Sequence, residues 1–99
     1  MSICTSQILN KNEEGYDILR RAAALLTAKS PKGYTYYVGE TYMDYGAGIS
    51  WTTILCNGGE WGGFQALNPR EWEELIFFGK DLDEFAKEFF ADKWCPDHK

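Results

Sequence analysis

Apolar residues recur at three- and four-residue intervals near both ends of the chain, and at two-residue intervals between them. In the first stretch Tyr16, Leu19, Ala23 and Leu26 fall on one face, with Ile18, Ala22 and Leu25 widening the stripe. This spacing predicts a helix over about 12–28. Asn10 and Asn12 are candidate N-caps, Glu13 and Glu14 place negative charge in the first turn, and Ile8 and Leu9 are placed to staple back onto the helix. Gly15 weakens the helix locally. The run Ser30, Pro31, Lys32, Gly33 ends it, because proline cannot continue a helix and glycine admits the turn that follows.

Between 34 and 68 aromatic and β-branched residues dominate. Residues 34–38, 49–56 and 61–67 read as strands, the first continuing to Tyr45 after a bend at Gly39, with Gly46 and Gly48 and then 57–60 as turns. In the second run Trp51, Thr53 and Leu55 alternate with Ser50, Thr52, Ile54 and Cys56. Neither set is cleanly polar, so both faces of the sheet are expected to be at least partly covered.

From Asn68 the helical period returns with three agreeing start signals: Asn68 at the N-cap, Pro69 at the first position and Glu71 at the third. Trp72, Leu75, Ile76, Leu82, Phe85, Ala86 and Phe89 make an apolar stripe. Gly79 interrupts it, and Asp81 with Glu84 makes a second capping pattern, so two helices over about 69–78 and 82–93 are favoured over one kinked helix. Phe77, Phe78 and Phe90 lie partly off the stripe, which calls for a second packed face or self-association as a homodimer. The fold class is therefore α+β: an N-terminal helix, a three-stranded antiparallel meander, and a C-terminal helix or two short helices packed on the sheet.

Composition narrows the class further. The chain has 99 residues, so a single domain spanning 1–99 is expected. Its aromatic and aliphatic content is too high for wholesale disorder, and no apolar run approaches the roughly 18–20 residues of a membrane span. A cytoplasmic protein is the expectation. Cys4, Cys56 and Cys95 are too few and odd in number for a closed disulfide framework, and they read as reduced thiols with Cys56 in the core.

Fifteen acids against ten bases give a net charge of −5. Sorted by segment, residues 1–33 carry five bases and three acids, residues 34–68 three acids and no base, and residues 69–93 four bases and eight acids. The acids on the C-terminal helices are the solvated side of amphipathic helices or an acidic recognition surface. Exposed helical carboxylates lack the burial that general acid–base catalysis needs.

Eight aromatics fall on the sheet region: Tyr34, Tyr36, Tyr37, Tyr42, Tyr45, Trp51, Trp61 and Phe64. Such platforms stack single-stranded bases in some proteins. The segment 62–75, with Gly62, Gly63, Trp72 and Leu75, loosely resembles the last strand and helix entry of the positive-cofactor type of single-stranded-DNA-binding coactivators. That resemblance implies nucleic-acid binding, yet the basic residues it would use on the strands are missing. Direct nucleic-acid binding is therefore not expected. The paired glycines 58–59 and 62–63 are turn residues, since neither a Lys-Ser nor a Lys-Thr pair follows. Cys95, Pro96, Asp97 and His98 resemble half a zinc site by residue type; with only Cys4 and Cys56 left to complete it, no metal or other cofactor is expected, and the segment reads as a frayed end.

The reading that unites these features is a small acidic protein-interaction module that docks on a basic, nucleic-acid-binding surface of a protein partner. In size, charge and lack of a catalytic motif it resembles the short acidic inhibitors that phages and mobile elements use against host defences, including anti-CRISPR proteins. Glu73, Glu74, Asp81, Glu84 and Glu88 are the candidate charges, and Tyr42, Tyr45 and Trp61 the candidate anchors. The alternatives are single-stranded nucleic-acid binding through the sheet, and a small enzyme or ligand binder using Cys56, tyrosines and acids in a pocket.

Overall fold

A computed structural model describes residues 13–43, 49–58 and 64–98. Its elements are α1 (Glu14–Lys29), β1 (Tyr36–Met43), β2 (Ile49–Cys56), β3 (Phe64–Gln65), α2 (Pro69–Ile76) and α3 (Leu82–Ala91). The α+β class holds. The sheet is mainly a two-stranded antiparallel ribbon, in which β1 and β2 pair over eight positions from Tyr36↔Cys56 to Met43↔Ile49. Beside β2, β3 pairs only at Leu55↔Gln65 and Cys56↔Phe64. Of the third strand expected over 61–67, residues 61–63 lie outside the described residues; the Ala66 N–H still donates to the Ile54 carbonyl at 2.9 Å, and the chain then leaves the sheet and brings Asn68 to the N-cap of α2.

Expected and observed boundaries differ at three places. The first helix starts with Glu13 at the N-cap and no side-chain cap bond, and it runs one residue past Ala28. Asn10, Asn12 and the staple residues lie outside the described residues. Pairing runs through Gly39↔Thr53 without a change of register, so the bend expected there does not interrupt the ladder. The C-terminal stripe is two helices. Each ends two residues sooner than its period suggests, and the break falls at Gly79, whose φ of 62° is one that residues with a Cβ rarely adopt.

Both faces of β2 are covered. Trp51, Thr52, Thr53 and Ile54 are buried in succession. On the face carrying Tyr36, Ile54 and Cys56, the Tyr36 ring meets Phe89 and Phe90 of α3 edge-on, at centroid distances of 5.7 and 6.3 Å. On the opposite face Trp51 lies 5.8 Å from Trp72 of α2. The Trp72 indole N–H donates to the Thr52 carbonyl at 2.7 Å, which ties α2 to β2 by a buried hydrogen bond. Leu19, Ala22, Ala23 and Leu26 of α1 enter the same core, and Thr27 Oγ1 accepts the Tyr36 N–H at 2.8 Å. Phe90, expected off the stripe, is buried.

The C-terminal turn corrects the expectation of a frayed end. Asp97 is fully buried, and its carboxylate accepts from Ser30 Oγ, from the Lys32 backbone N–H at 3.1 Å and from the Tyr36 hydroxyl at 2.8 Å. These donors belong to the α1–β1 connection and the start of β1, so the chain end straps the turn that follows α1. Burial, then the hydrogen bond to Asp97, pushes the Tyr36 phenol far above its ordinary range. Tight approach explains Gly58 as well: a Cβ there would stand 2.3 Å from the Tyr34 ring.

Candidate protein-interaction site

The end of α2 and the start of α3 form a corner whose geometry follows from three local devices. The α2 helix opens with a complete capping box, Asn68 Oδ1 accepting the Glu71 N–H at 2.8 Å and Glu71 Oε1 accepting the Asn68 N–H at 3.1 Å. It closes with the Phe77 N–H on the Glu73 carbonyl, and the Lys80 N–H reaches back to the Glu74 carbonyl across the left-handed Gly79. Asp81 then caps α3 by accepting the Glu84 N–H at 3.0 Å. Between these two helix ends stand Phe77 and Phe78, 53% and 75% exposed. Phe77 packs edge-on against Trp72 at 5.5 Å, so its ring is propped on the core while its outer face meets solvent.

Acids gather around Lys80, two residues beyond this pair. Lys80 Nζ bonds Glu88 at 2.8 Å and stands 4.0 Å from Glu74. Its pKa is raised, first by the hydrogen bond to Glu88 and then by the charges of Glu88, Glu74 and Glu84. One lysine therefore gathers three carboxylates and leaves the cluster negative. Of the five predicted charges, Asp81 serves as a helix cap, Glu74 and Glu88 flank Lys80, Glu84 lies within electrostatic reach of it, and Glu73 is half-buried one turn before Phe77. Glu74, Glu84 and Glu88 thus meet at Lys80, with Asp81 next to it in the chain.

The predicted anchors fare differently. Tyr42 takes its place in β1 opposite Ser50, while its side chain, and all of Tyr45 and Trp61, lie outside the described residues. Among the other sheet aromatics Tyr36 and Trp51 are buried, which removes them from any stacking surface, and Tyr37 is exposed. The exposed ring pair, for which the sequence called for a second packed face or self-association, is the feature left out of the predicted partner-binding residues. The available signal was two phenylalanines running on past the stripe into a glycine.

Cys56, Tyr36 and Asp97 do come together, but inside the protein, with half-buried Cys95 beside Asp97. Cys56 is 1% exposed, and burial pushes both thiols up, away from the reactive thiolate form. Asp97 already holds three donors. Among the described residues no group of three or more His, Cys, Asp or Glu side chains is placed to hold a metal ion, and no helix is long and apolar enough to cross a membrane. Comparison with known proteins adds nothing to this geometry: no family model, no curated protein and no solved structure matches the chain.

Proposed function

We propose that the chain is a small protein-interaction module whose α2–α3 corner docks on a basic surface of a partner protein. The observation that carries this reading is the exposed pair Phe77 and Phe78, close in the chain to Glu73 and Asp81 and to the acids Glu74, Glu84 and Glu88 that gather at Lys80. Aromatic rings in the centre of a contact supply most of its binding energy, while surrounding charges set the on-rate and the choice of partner. Carboxylates spaced along a surface compete with phosphates for arginine and lysine. Docking of this kind on a nucleic-acid channel inhibits the enzyme that owns it, as the small acidic inhibitors of phages do.

The test is capture from the native host at low and at high salt, with the wild-type chain beside Phe78→Ala and Glu84→Gln/Glu88→Gln. A basic nucleic-acid-binding protein retained at low salt, lost at high salt and lost with Phe78→Ala supports the reading. Stoichiometric binding of an oligonucleotide without any protein partner would sink it in favour of a single-strand binder.

A further inference from the structure

A second recognition element lies at the other end of α2, roughly 9 Å from the corner along the helix axis at 1.5 Å per residue. There the C-terminal turn after α3 and the entry to α2 enclose a groove of about 390 Å³. Ala66, Leu67 and Pro96 supply apolar lining, Glu71 and Asp92 supply carboxylates, and Trp94, 84% exposed, supplies an indole. None of the described lining residues is cationic; Arg70 and Lys93, next in sequence to the two acids, do not line it.

The described lining of this groove carries two acids and no base, with Arg70 acting on Glu71 from outside it. Asp92 is the C-cap of α3, a position where the helix dipole already presents negative charge, and the last turn of α3 contains no basic residue. Glu71 is half-buried; burial raises its pKa, the Asn68 N–H and the charge of neighbouring Arg70 act against that rise, and the charge of Asp92 adds to it. Both carboxylates are held in place through one oxygen, Glu71 Oε1 by the Asn68 N–H and Asp92 Oδ1 by the Trp94 N–H at 3.0 Å. No hydrogen bond among the described residues takes the second oxygen of either. Two oriented acceptors, a helix C-terminus and an exposed ring face describe the complement of a planar cation.

We propose that this groove receives the guanidinium of an arginine side chain on a partner protein. The methylene stem lies along Ala66, Leu67 and Pro96, the guanidinium plane stacks on Trp94, and its N–H groups donate to Glu71 and Asp92. Arginine fits better than lysine because its flat fork stacks and bonds two acceptors at once. The site does not depend on the corner, and its test needs no partner of the corner.

The probe is the blocked tripeptide acetyl-Gly-Arg-Gly-amide, titrated into the full chain while indole and backbone N–H shifts are followed by NMR. Saturable shifts are expected at the Trp94 indole and the Asn68 and Asp92 amides, with the lysine peptide about fivefold weaker and the citrulline peptide silent. Glu71→Gln with Asp92→Asn should weaken the arginine peptide about tenfold. Because Glu71→Gln also touches the capping box, Asp92→Asn and Trp94→Ala are made singly at exposed positions, where folding is retained; each should weaken binding about fivefold. Non-saturating shifts, equal binding of the lysine or citrulline peptide, or folded single variants that bind like wild type would overturn the proposal.

Discussion

Two acidic places in this protein make opposite use of the same chemical group. At the C-terminal turn a single carboxylate, Asp97, is fully buried and saturated by Ser30, Lys32 and Tyr36. At the α2–α3 corner Glu74, Glu84 and Glu88 stand near water around Lys80. A carboxylate taken out of water must have its lone pairs occupied, and once they are, removing it strands every donor that served it. A carboxylate in water loses little when its ion pair is cut, because solvent replaces the partner. Burial therefore makes Asp97 a structural residue, and exposure leaves the corner acids available to another molecule.

The comparison can be broken at several points. Asp97→Ala should cost about 3 kcal/mol of unfolding free energy, since one buried and two part-buried donors lose their acceptor. Urea denaturation measures it, and a loss below about 1 kcal/mol would mean that the strap contributes no more than a surface contact.

Tyr36→Phe removes one of those donors and should cost about 1–2 kcal/mol at neutral pH. It also carries a pH signature. The folded phenol is raised above its ordinary value of 10.0, by burial first and by Asp97 next. The proton is thus held more tightly in the folded chain, the stabilisation is complete below about pH 10, and it is lost as pH rises beyond that point. Stability of the wild type should fall above pH 10 more steeply than that of Tyr36→Phe, by melting temperature against pH.

At the corner the order of effects reverses. Phe78→Ala should change stability by less than about 0.5 kcal/mol, because the ring is exposed, while abolishing capture of the basic partner. Glu88→Gln is expected to have the smallest effect on folding, about 0.3 kcal/mol, with a fall in association rate that fades as salt is added. A Glu88→Gln variant that melted as early as Asp97→Ala would erase the distinction between the two places.

Much of the architecture is legible in the residues themselves. The 3.6-residue period marks α1, the agreement of Asn68, Pro69 and Glu71 marks the start of α2, and Gly79 with Asp81 marks the break before α3; all three are local, and local geometry enforces them. The acids of the candidate corner are legible for the same reason, since helical spacing places them on neighbouring turns. What fails is what depends on distant partners. The tail at 95–98 reads as a loose end because Asp97 finds its donors more than sixty residues away. Of the third strand expected over 61–67, the described residues pair with β2 at Phe64 and Gln65, and past Ala66 the chain turns to place Asn68 at the cap of α2. Phe90 and Phe77 share composition and differ in fate: one ring meets Tyr36 in the core and the other only the edge of Trp72.

The amino-acid sequence by itself determined the α+β class, the positions of the three helices and the acidic character of residues 69–93. These rest on period, caps and charge, which act over a few residues and need no tertiary partner. The tertiary structure alone decided which acid is sealed inside, which phenylalanines face solvent, and that Glu71, Asp92 and Trp94 line one groove. Those outcomes turn on which surfaces meet when the helices close on the sheet, and burial, unlike periodicity, belongs to the whole chain at once.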